Sequence, residues 1–318
     1  MSARKRDSET RSASSDSRMT YGEFLRMFPT NQACMDYLRD RFYPAGSECP
    51  SCHKETKFHH IKGRSAYACQ YCRHQVYPTA GTIFHKSTTS LQMWFYAVYL
   101  MSSTRCGMSA KQLEREIGVT YKTAHRMFKQ IRSMLGQDDE LLSGSVEMDE
   151  TYVGGKPRLA DRQRKADGSF KRGRTVQSEK KKQMVFGAVE RGGRIRAEVV
   201  PKDERGGIAR RVNEFVMPSS VVYTDEYVGY DKPGEAFAGH HRIRHAERVY
   251  VDGDVHTQTI EGFWSLLKNG IRGVYHSVSD EYLQDYVDEY VWRYNHRDNP
   301  RGMFWTFLDR VTKAVPVS

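Results

Sequence analysis

The stretch His256-Thr-Gln-Thr-Ile-Glu-Gly-Phe-Trp-Ser-Leu-Leu-Lys-Asn-Gly270 decides how the rest of the chain is read. Ile260, Phe263, Trp264 and Leu267 recur at i, i+3, i+4 and i+7, the spacing of one apolar helical stripe. At about 100° per residue, Glu261, Ser265 and Lys268 fall together on a neighbouring stripe. Asn269-Gly270 reads as a helix stop. The spacing therefore predicts a short helix that packs one side into a core and carries a carboxylate and an ammonium along its edge. A carboxylate held on a packed helix is a good place for a metal ligand. An exposed Glu and Lys on an ordinary amphipathic helix would give the same pattern, so the remaining chain has to decide.

Outward from that helix, the chain bounds the possibilities. It has 318 residues, enough for two or three domains, and 38% hydrophobic content with 12% aromatics, enough for packed cores. Fifty Lys and Arg against 39 Asp and Glu leave a net charge of +11, a balance that points to a polyanionic partner, most often nucleic acid. There is no run of 18 apolar residues, so no membrane span is expected. The polar start, residues 1–18, lacks the apolar core of a secretory signal and reads as a disordered tail. Four of the six cysteines stand in two close pairs, which fits metal binding in a reducing cytosol better than disulfides.

In the N-terminal third, residues 21–43 have helical spacing broken by Pro29, giving two short helices with the second from about Asn31. Cys49-Pro-Ser-Cys52 and Cys69-Gln-Tyr-Cys72, separated by sixteen residues, have the two-knuckle spacing of a zinc ribbon. Each CxxC turn aims two thiolates at one centre, and four complete a closed tetrahedral Zn²⁺ site. The nearby His53, His59, His60 and His74 then read as surface residues. Leu91–Ser103 reads as a buried helix opened by Thr88-Thr89-Ser90. Ser109–Gly118 reads as a capped helix, Val119-Thr120 as a turn, and Tyr121–Leu135 as a second helix with Ala124, Met127, Phe128, Ile131 and Leu135 on one face. That is a helix-turn-helix pattern. Its second helix would present Tyr121, Lys122, Thr123, Arg126, Lys129 and Arg132 to a groove and its phosphates. A helical hairpin with a solvated basic face is the other reading.

Past a linker-like stretch, Ser145–Tyr152 alternates, with Val146, Met148 and Tyr152 on one face of a strand and Glu147, Asp149 and Thr151 on the other. Residues 156–182 hold eleven Lys and Arg against three acids, a basic loop suited to a DNA backbone or simply to solvent. Gln183–Glu190 and Arg194–Val200 form a hairpin about Arg191-Gly192-Gly193. Gly206–Val216 reads as a helix and Val221–Asp225 as a short buried strand ending on an acid. Tyr282–Tyr294 and Met303–Ala314 close the chain as helices. The order predicts a mixed α/β sheet with carboxylates at strand ends and on a covering helix.

Asp149 on a first strand, Asp225 at the end of a fourth, Glu261 on a helix 36 residues later and Lys268 seven beyond it form a constellation that resembles the DDE transposases. The strings Met148-Asp-Glu-Thr-Tyr-Val-Gly-Gly-Lys156, Phe186-Gly-Ala-Val-Glu-Arg191, Tyr223-Thr-Asp225 with Gly229-Tyr230, and His256 to Lys268 resemble the bacterial insertion-sequence transposases related to Merlin elements. The resemblance covers roughly residues 30–300. It implies an RNase H-like catalytic domain over 144–300 (basic loop 156–182), preceded by N-terminal helices and a zinc ribbon over 19–86 and a helix-turn-helix region over 87–138, with a C-terminal helix over 301–318. It implies that Asp149, Asp225 and Glu261 are the catalytic residues and hold two Mg²⁺ or Mn²⁺ ions, and that Lys268 holds DNA beside Lys122, Arg126 and Lys129. Gln258 departs from the Asn expected there in many relatives. Glu147 shares the face of Asp149 and is its local rival, whereas Glu150 and Glu226 point away by alternation.

The chemistry suits these residue types. Phosphodiester attack by water and then by a 3′-hydroxyl uses two hard cations about 3.5–4 Å apart, and hard cations take carboxylate oxygens. What the resemblance implies is a transposase that binds the terminal inverted repeats of its own element and carries out metal-dependent cleavage and strand transfer. Its partners would be double-stranded DNA at element ends and target, and a second copy of itself in a dimer or larger assembly. It would sit in the bacterial cytoplasm on the nucleoid, with no membrane involved. A domesticated DNA-binding regulator without catalysis and another RNase H-like nuclease are the alternative readings.

Overall fold

The computed structural model describes residues 19–104, 106–154, 182–201, 204, 207–225, 227–243, 256–299 and 301–312. The expected tail over 1–18, nearly all of the basic loop and Glu226 lie outside them. The described residues fall into two compact units. One runs up to Leu135 and takes up the chain again from Asp298; the other is Gly136–Arg297.

In the first unit, α1 (Tyr21–Met27) and α2 (Asn31–Phe42) are each opened by a threonine, Thr20 and Thr30, whose side chain accepts a backbone N–H of the first turn. Three short strands follow, β1 (Phe58–His60), β2 (Tyr67–Cys69) and β3 (Gln75–Val76), paired antiparallel in that order. Next come α3 (Leu91–Ser103), α4 (Ala110–Ile117) and α5 (Tyr121–Ser133). Ser109 caps α4, and Gly118 at φ +69° ends it in the left-handed conformation that glycine adopts without strain. Thr120 then caps α5, so the turn between the two helices is set by two cap signals, Gly118 and Thr120. The apolar α3 buries Leu91, Trp94, Phe95, Ala97, Val98 and Met101. The last helix, α10 (Met303–Val311), belongs to this unit: Phe304 joins an aromatic cluster with Phe24, Phe28 and Tyr99.

The second unit is built on β4 (Ser145–Val153), β5 (Gln183–Glu190), β6 (Ile195–Val200), α6 (Gly207–Phe215), β7 (Val221–Thr224), α7 (Asp231–Gly234), β8 (Gly239–Arg242), α8 (Gln258–Gly270) and α9 (Leu283–Asn295). The sheet order is β6-β5-β4-β7-β8. The first three strands are antiparallel, and β7 and β8 run parallel to β4. This is the RNase H-like arrangement. Alternation along the strands supplies a core to each face. Val153, Val185, Val189 and Ile195 meet Ile260, Phe263, Trp264 and Leu267 of α8 and Val287, Tyr290 and Val291 of α9. Val146, Met148, Phe186 and Ala188 meet Ile208, Val212 and Phe215 of α6. Each such side chain removed from water contributes about 1.5–3 kcal/mol.

Two local outcomes differ from the sequence reading. The fifth strand, β8, was not anticipated, because Gly-His-His-Arg has no apolar alternation; it lies at the sheet edge, paired only with β7. The α-helix α8 ends at Gly270 as expected, but Asn269-Gly270 does not end the helical path. Gly270 keeps helical φ −64° and the chain runs on through a π-helical turn, Ile271–Tyr275. Its missing side chain serves packing: a Cβ there would stand 1.5 Å from the Tyr290 hydroxyl of α9. Tyr152 does share the face of Val146 and Met148, paired with Met184, and at the end of β4 it is 51% exposed.

The outer edge of β6 is closed by side-chain amides. Asn295 accepts the Ile195 N–H at 2.8 Å and donates to its carbonyl at 3.0 Å. Gln137 accepts the Ala197 N–H at 3.0 Å and donates to its carbonyl at 2.6 Å. Gln284 accepts the Val199 N–H at 2.7 Å. Three carboxamides thus stand where a further strand would bond, one way of blunting an exposed edge. Gln137→Ala strands the Ala197 N–H and leaves the carbonyl only a long bond from Gln284 at 3.4 Å, and urea unfolding is expected to show a loss of about 1–3 kcal/mol.

Candidate active site and nucleic-acid interface

Asp149 lies in the central strand β4 on the face covered by α8. The indole N–H of Trp264 donates to its carboxylate at 2.9 Å. Burial pushes the Asp149 carboxyl up to about 7; the charges of Glu150 and Asp225 add to the rise, and the bonds from the Glu150 backbone and from Trp264 oppose it. Asp225 follows β7 directly. The parallel register pairs Glu147 with Tyr223, so two residues on, Asp225 comes alongside Asp149. One Asp225 oxygen accepts the Tyr227 N–H at 2.9 Å.

Glu261 is in the first turn of α8, exposed, and accepts the Thr257 hydroxyl at 3.2 Å. It stands one helical turn before Trp264, the side chain that touches Asp149. Two turns further on, the half-buried Lys268 ammonium is depressed by desolvation and by Arg272 and Lys182, while Asp149 raises it. The helix therefore sets a cluster of cations beside the buried acid. Asp149 and Asp225 are brought within electrostatic reach of each other. Glu261 has its own partner on the same side of the sheet. Among the described residues, only the four cysteine thiols form a group of three or more ligand atoms all within 4.8 Å of one another.

Glu150 does leave the α8 face, as alternation requires, and accepts the hydroxyl of the fully buried Tyr230 at 2.5 Å. Pointing away does not silence it: its charge still reaches Asp149, and its own carboxyl is raised by burial and by Asp225. Glu147 is on the α8 face but is committed elsewhere. It is fully buried and accepts the Thr259 N–H at 2.8 Å, the Ile260 N–H at 3.1 Å, the Thr259 hydroxyl at 3.0 Å and Arg191 Nε at 2.9 Å. Its oxygens hold the first turn of α8 and compete poorly as cation ligands.

Three supporting residues were missed in the sequence. Gly187 of β5 pairs with Asp149, and a Cβ there would meet the Trp264 ring at 2.7 Å. Arg191 bridges Glu147 and the His256 carbonyl with its guanidinium over the Tyr223 ring. Trp264 was read only as part of an apolar stripe. The signals were a glycine inside a strand, a cation in a hairpin turn, and a tryptophan whose N–H must find a partner when buried.

In the ribbon, Cys49 and Cys72 Sγ are 3.6 Å apart and Cys52 and Cys69 Sγ 3.9 Å apart. A tetrahedron with Zn–S bonds of about 2.3 Å has edges of about 3.8 Å, so these two edges match Zn²⁺ and all four thiols lie within 4.8 Å of one another. The residue after each knuckle, His53 and Arg73, takes a positive φ (57° and 63°) that returns its N–H to the Cys49 or Cys69 carbonyl. His53 faces Glu48 and His60 the Arg64 carbonyl, and no histidine joins the thiol group. On α5, Ala124, Met127, Phe128 and Ile131 are buried while Lys122, Arg126 and Lys129 are exposed. Arg132 departs from the expected basic face: it is 4% exposed, with its guanidinium over the Phe128 ring. It stands one turn past the buried Phe128 and lies over that ring rather than out on the basic face.

The raised Asp149 carboxyl makes a stability prediction. Folding favours its protonated form, so the stabilisation is complete below pH 4 and is lost as pH rises through 7. Metal-free protein is expected to melt at progressively lower temperature over that window. Asp149→Asn, which keeps an acceptor for Trp264, flattens the slope and is more stable at pH 8 by about 1–4 kcal/mol. Thermal melts in chelator check this.

Residues 141–295 match the ISXO2-like transposase domain, and residues 29–75 match the transposase zinc-ribbon domain. An uncharacterized protein in transposable element ISH50 of Halobacterium salinarum is 31% identical over 276 residues, 85% of this chain and 92% of that protein. An uncharacterized transposase-like protein of Haemophilus influenzae is 27% identical over 100 residues, 31% of this chain and 80% of that protein. A solved pre-cleavage Mos1 transpososome shares 12% identity at a TM-score of 0.23, over 65% of this chain and 75% of that one, a likeness too remote to bear on fold or function. With two transposase domain models matched and a relative aligned along most of its length, the chain belongs to the ISXO2-like transposase family.

Proposed function

We propose that this chain binds the terminal inverted repeats of its own mobile element, cleaves DNA there and joins the ends to a target. The observation that carries the proposal is the buried Asp149 carboxyl beside Asp225, under a helix that also bears Glu261 and Lys268. Carboxylates gathered in this way repel one another, and hard divalent cations answer that repulsion with the oxygen ligands they prefer. Asp149, Asp225 and Glu261 would hold two Mg²⁺ or Mn²⁺ ions. Bound there, the ions would activate water or a 3′-hydroxyl and stabilise the leaving oxygen.

The chain's own groups do the rest. Lys268, Arg272 and Lys182 lie where a scissile phosphate needs positive charge. Trp264 and Ile260 close the inner side of the site against water. On our reading the ribbon (19–86) and the helix-turn-helix (87–138) recognise the DNA end, with Lys122, Arg126 and Lys129 on its phosphates and bases. Zn²⁺ on Cys49, Cys52, Cys69 and Cys72 folds the ribbon, residues 144–300 do the chemistry, and two copies pair two ends.

Strand cleavage and joining of a labelled element end in Mg²⁺ tests the chemistry. Asp225→Ala and Glu261→Ala are expected to bind the end as wild type does and to lose cleavage by more than the roughly 10- to 100-fold that removal of a supporting residue costs. Wild type that binds tightly and never cuts would instead be a regulator. Lys122→Ala and Arg126→Ala should weaken binding, each lost phosphate contact reducing the slope of log affinity against log salt by about 1. Metal analysis should find one zinc per chain, and stripping it should unfold the ribbon, seen as lost amide protection over residues 45–77.

A further inference from the structure

Resting on that reading of the site, we infer that Trp264 is a positioning residue for the reaction: its indole N–H fixes the Asp149 carboxylate, and Gly187 is glycine to let it do so. Trp264 is 4% exposed in the core between α8 and the sheet. An apolar side chain would fill that core as well. Tryptophan brings one further group, a ring N–H that can only donate, and here it donates to Asp149 at 2.9 Å. The bond enters from α8, the helix that carries Glu261 one turn earlier. A single contact therefore ties the orientation of one carboxylate to the helix that bears another.

Gly187 is the independent observation. It sits directly across from Asp149 in the β4–β5 pairing. A Cβ there would stand 2.7 and 2.9 Å from two carbons of the six-membered indole ring and 3.3 Å from an Ile260 methyl. Glycine weakens a strand interior, and nothing in the turn geometry asks for it here, since β5 is regular through this point. What the missing side chain provides is the depth the indole needs to lie against β5 and reach Asp149. Outer-shell groups that orient ligating carboxylates commonly change metal affinity by 10- to 100-fold.

The test uses the full chain and separates positioning from packing. Trp264→Phe keeps an aromatic ring and removes the donor. Benzothienylalanine installed at position 264 keeps the bicyclic shape and loses only the N–H. Mn²⁺ binding is read by electron paramagnetic resonance without DNA, and end cleavage is read against Mg²⁺ concentration. Both variants are expected to melt near wild type and bind the element end equally, while Mn²⁺ affinity falls about 10- to 100-fold and the Mg²⁺ needed for half-maximal cleavage rises to match. Gly187→Ala should shift both metal readouts in the same direction. If wild type binds Mn²⁺ and cuts while the benzothienyl variant equals it in both readouts, the inference fails and the proposed function stands. If wild type neither binds Mn²⁺ nor cuts, both fall together.

Discussion

The placement of the candidate site depends on one buried carboxylate that does not itself face the site. Glu147 accepts two backbone N–H groups of the first turn of α8, a threonine hydroxyl and an arginine. A helix start carries unsatisfied donors and a partial positive charge, and Thr257, at the cap position, offers those donors no side-chain bond. The cap comes instead from the neighbouring strand. Because Glu147 and Asp149 are two apart on β4, the carboxylate that anchors the helix and the one beneath it keep a fixed spacing set by the strand's own period. Arg191 completes the arrangement by holding Glu147 from the far side and tying in the His256 carbonyl.

This explains how two carboxylates on the same strand face take different work. Glu147 is surrounded by donors. Asp149 has one indole N–H and a backbone N–H against two nearby negative charges, and its carboxyl rises toward neutrality. Sequence alternation puts both on one face and cannot rank them. The ranking comes from the helix start, which lies more than a hundred residues away in the chain.

Much of the fold was legible because its signals are local. Cap residues, CxxC spacing, the hairpin at Arg191-Gly192-Gly193 and the apolar stripe of α8 all act within a few residues, and most predicted elements appear within a residue or two of their expected span, the last helix ending three residues before Ala314. What was not legible depends on partners distant in sequence. Gly270 looks like a stop until Tyr290 is seen to fill its side-chain space. Arg132 looks like a basic-face residue until it is seen buried over the Phe128 ring. The polar strand β8 has nothing in its own residues to announce it; β7 recruits it through backbone pairing. At the site, the residue types Asp149, Asp225, Glu261 and Lys268 could be picked out, and Trp264, Gly187 and Glu147 could not be given their roles, since each acts through a contact across the sheet.

The row of carboxamides along β6 has a consequence for assembly. Gln137, Gln284 and Asn295 occupy N–H and carbonyl groups that another copy could otherwise have used to extend the sheet. On that side the molecule cannot be lengthened by backbone pairing, the route by which sheets propagate into fibres. Any contact between copies made there would have to be side chain to side chain, the kind whose strength shifts with ionic strength.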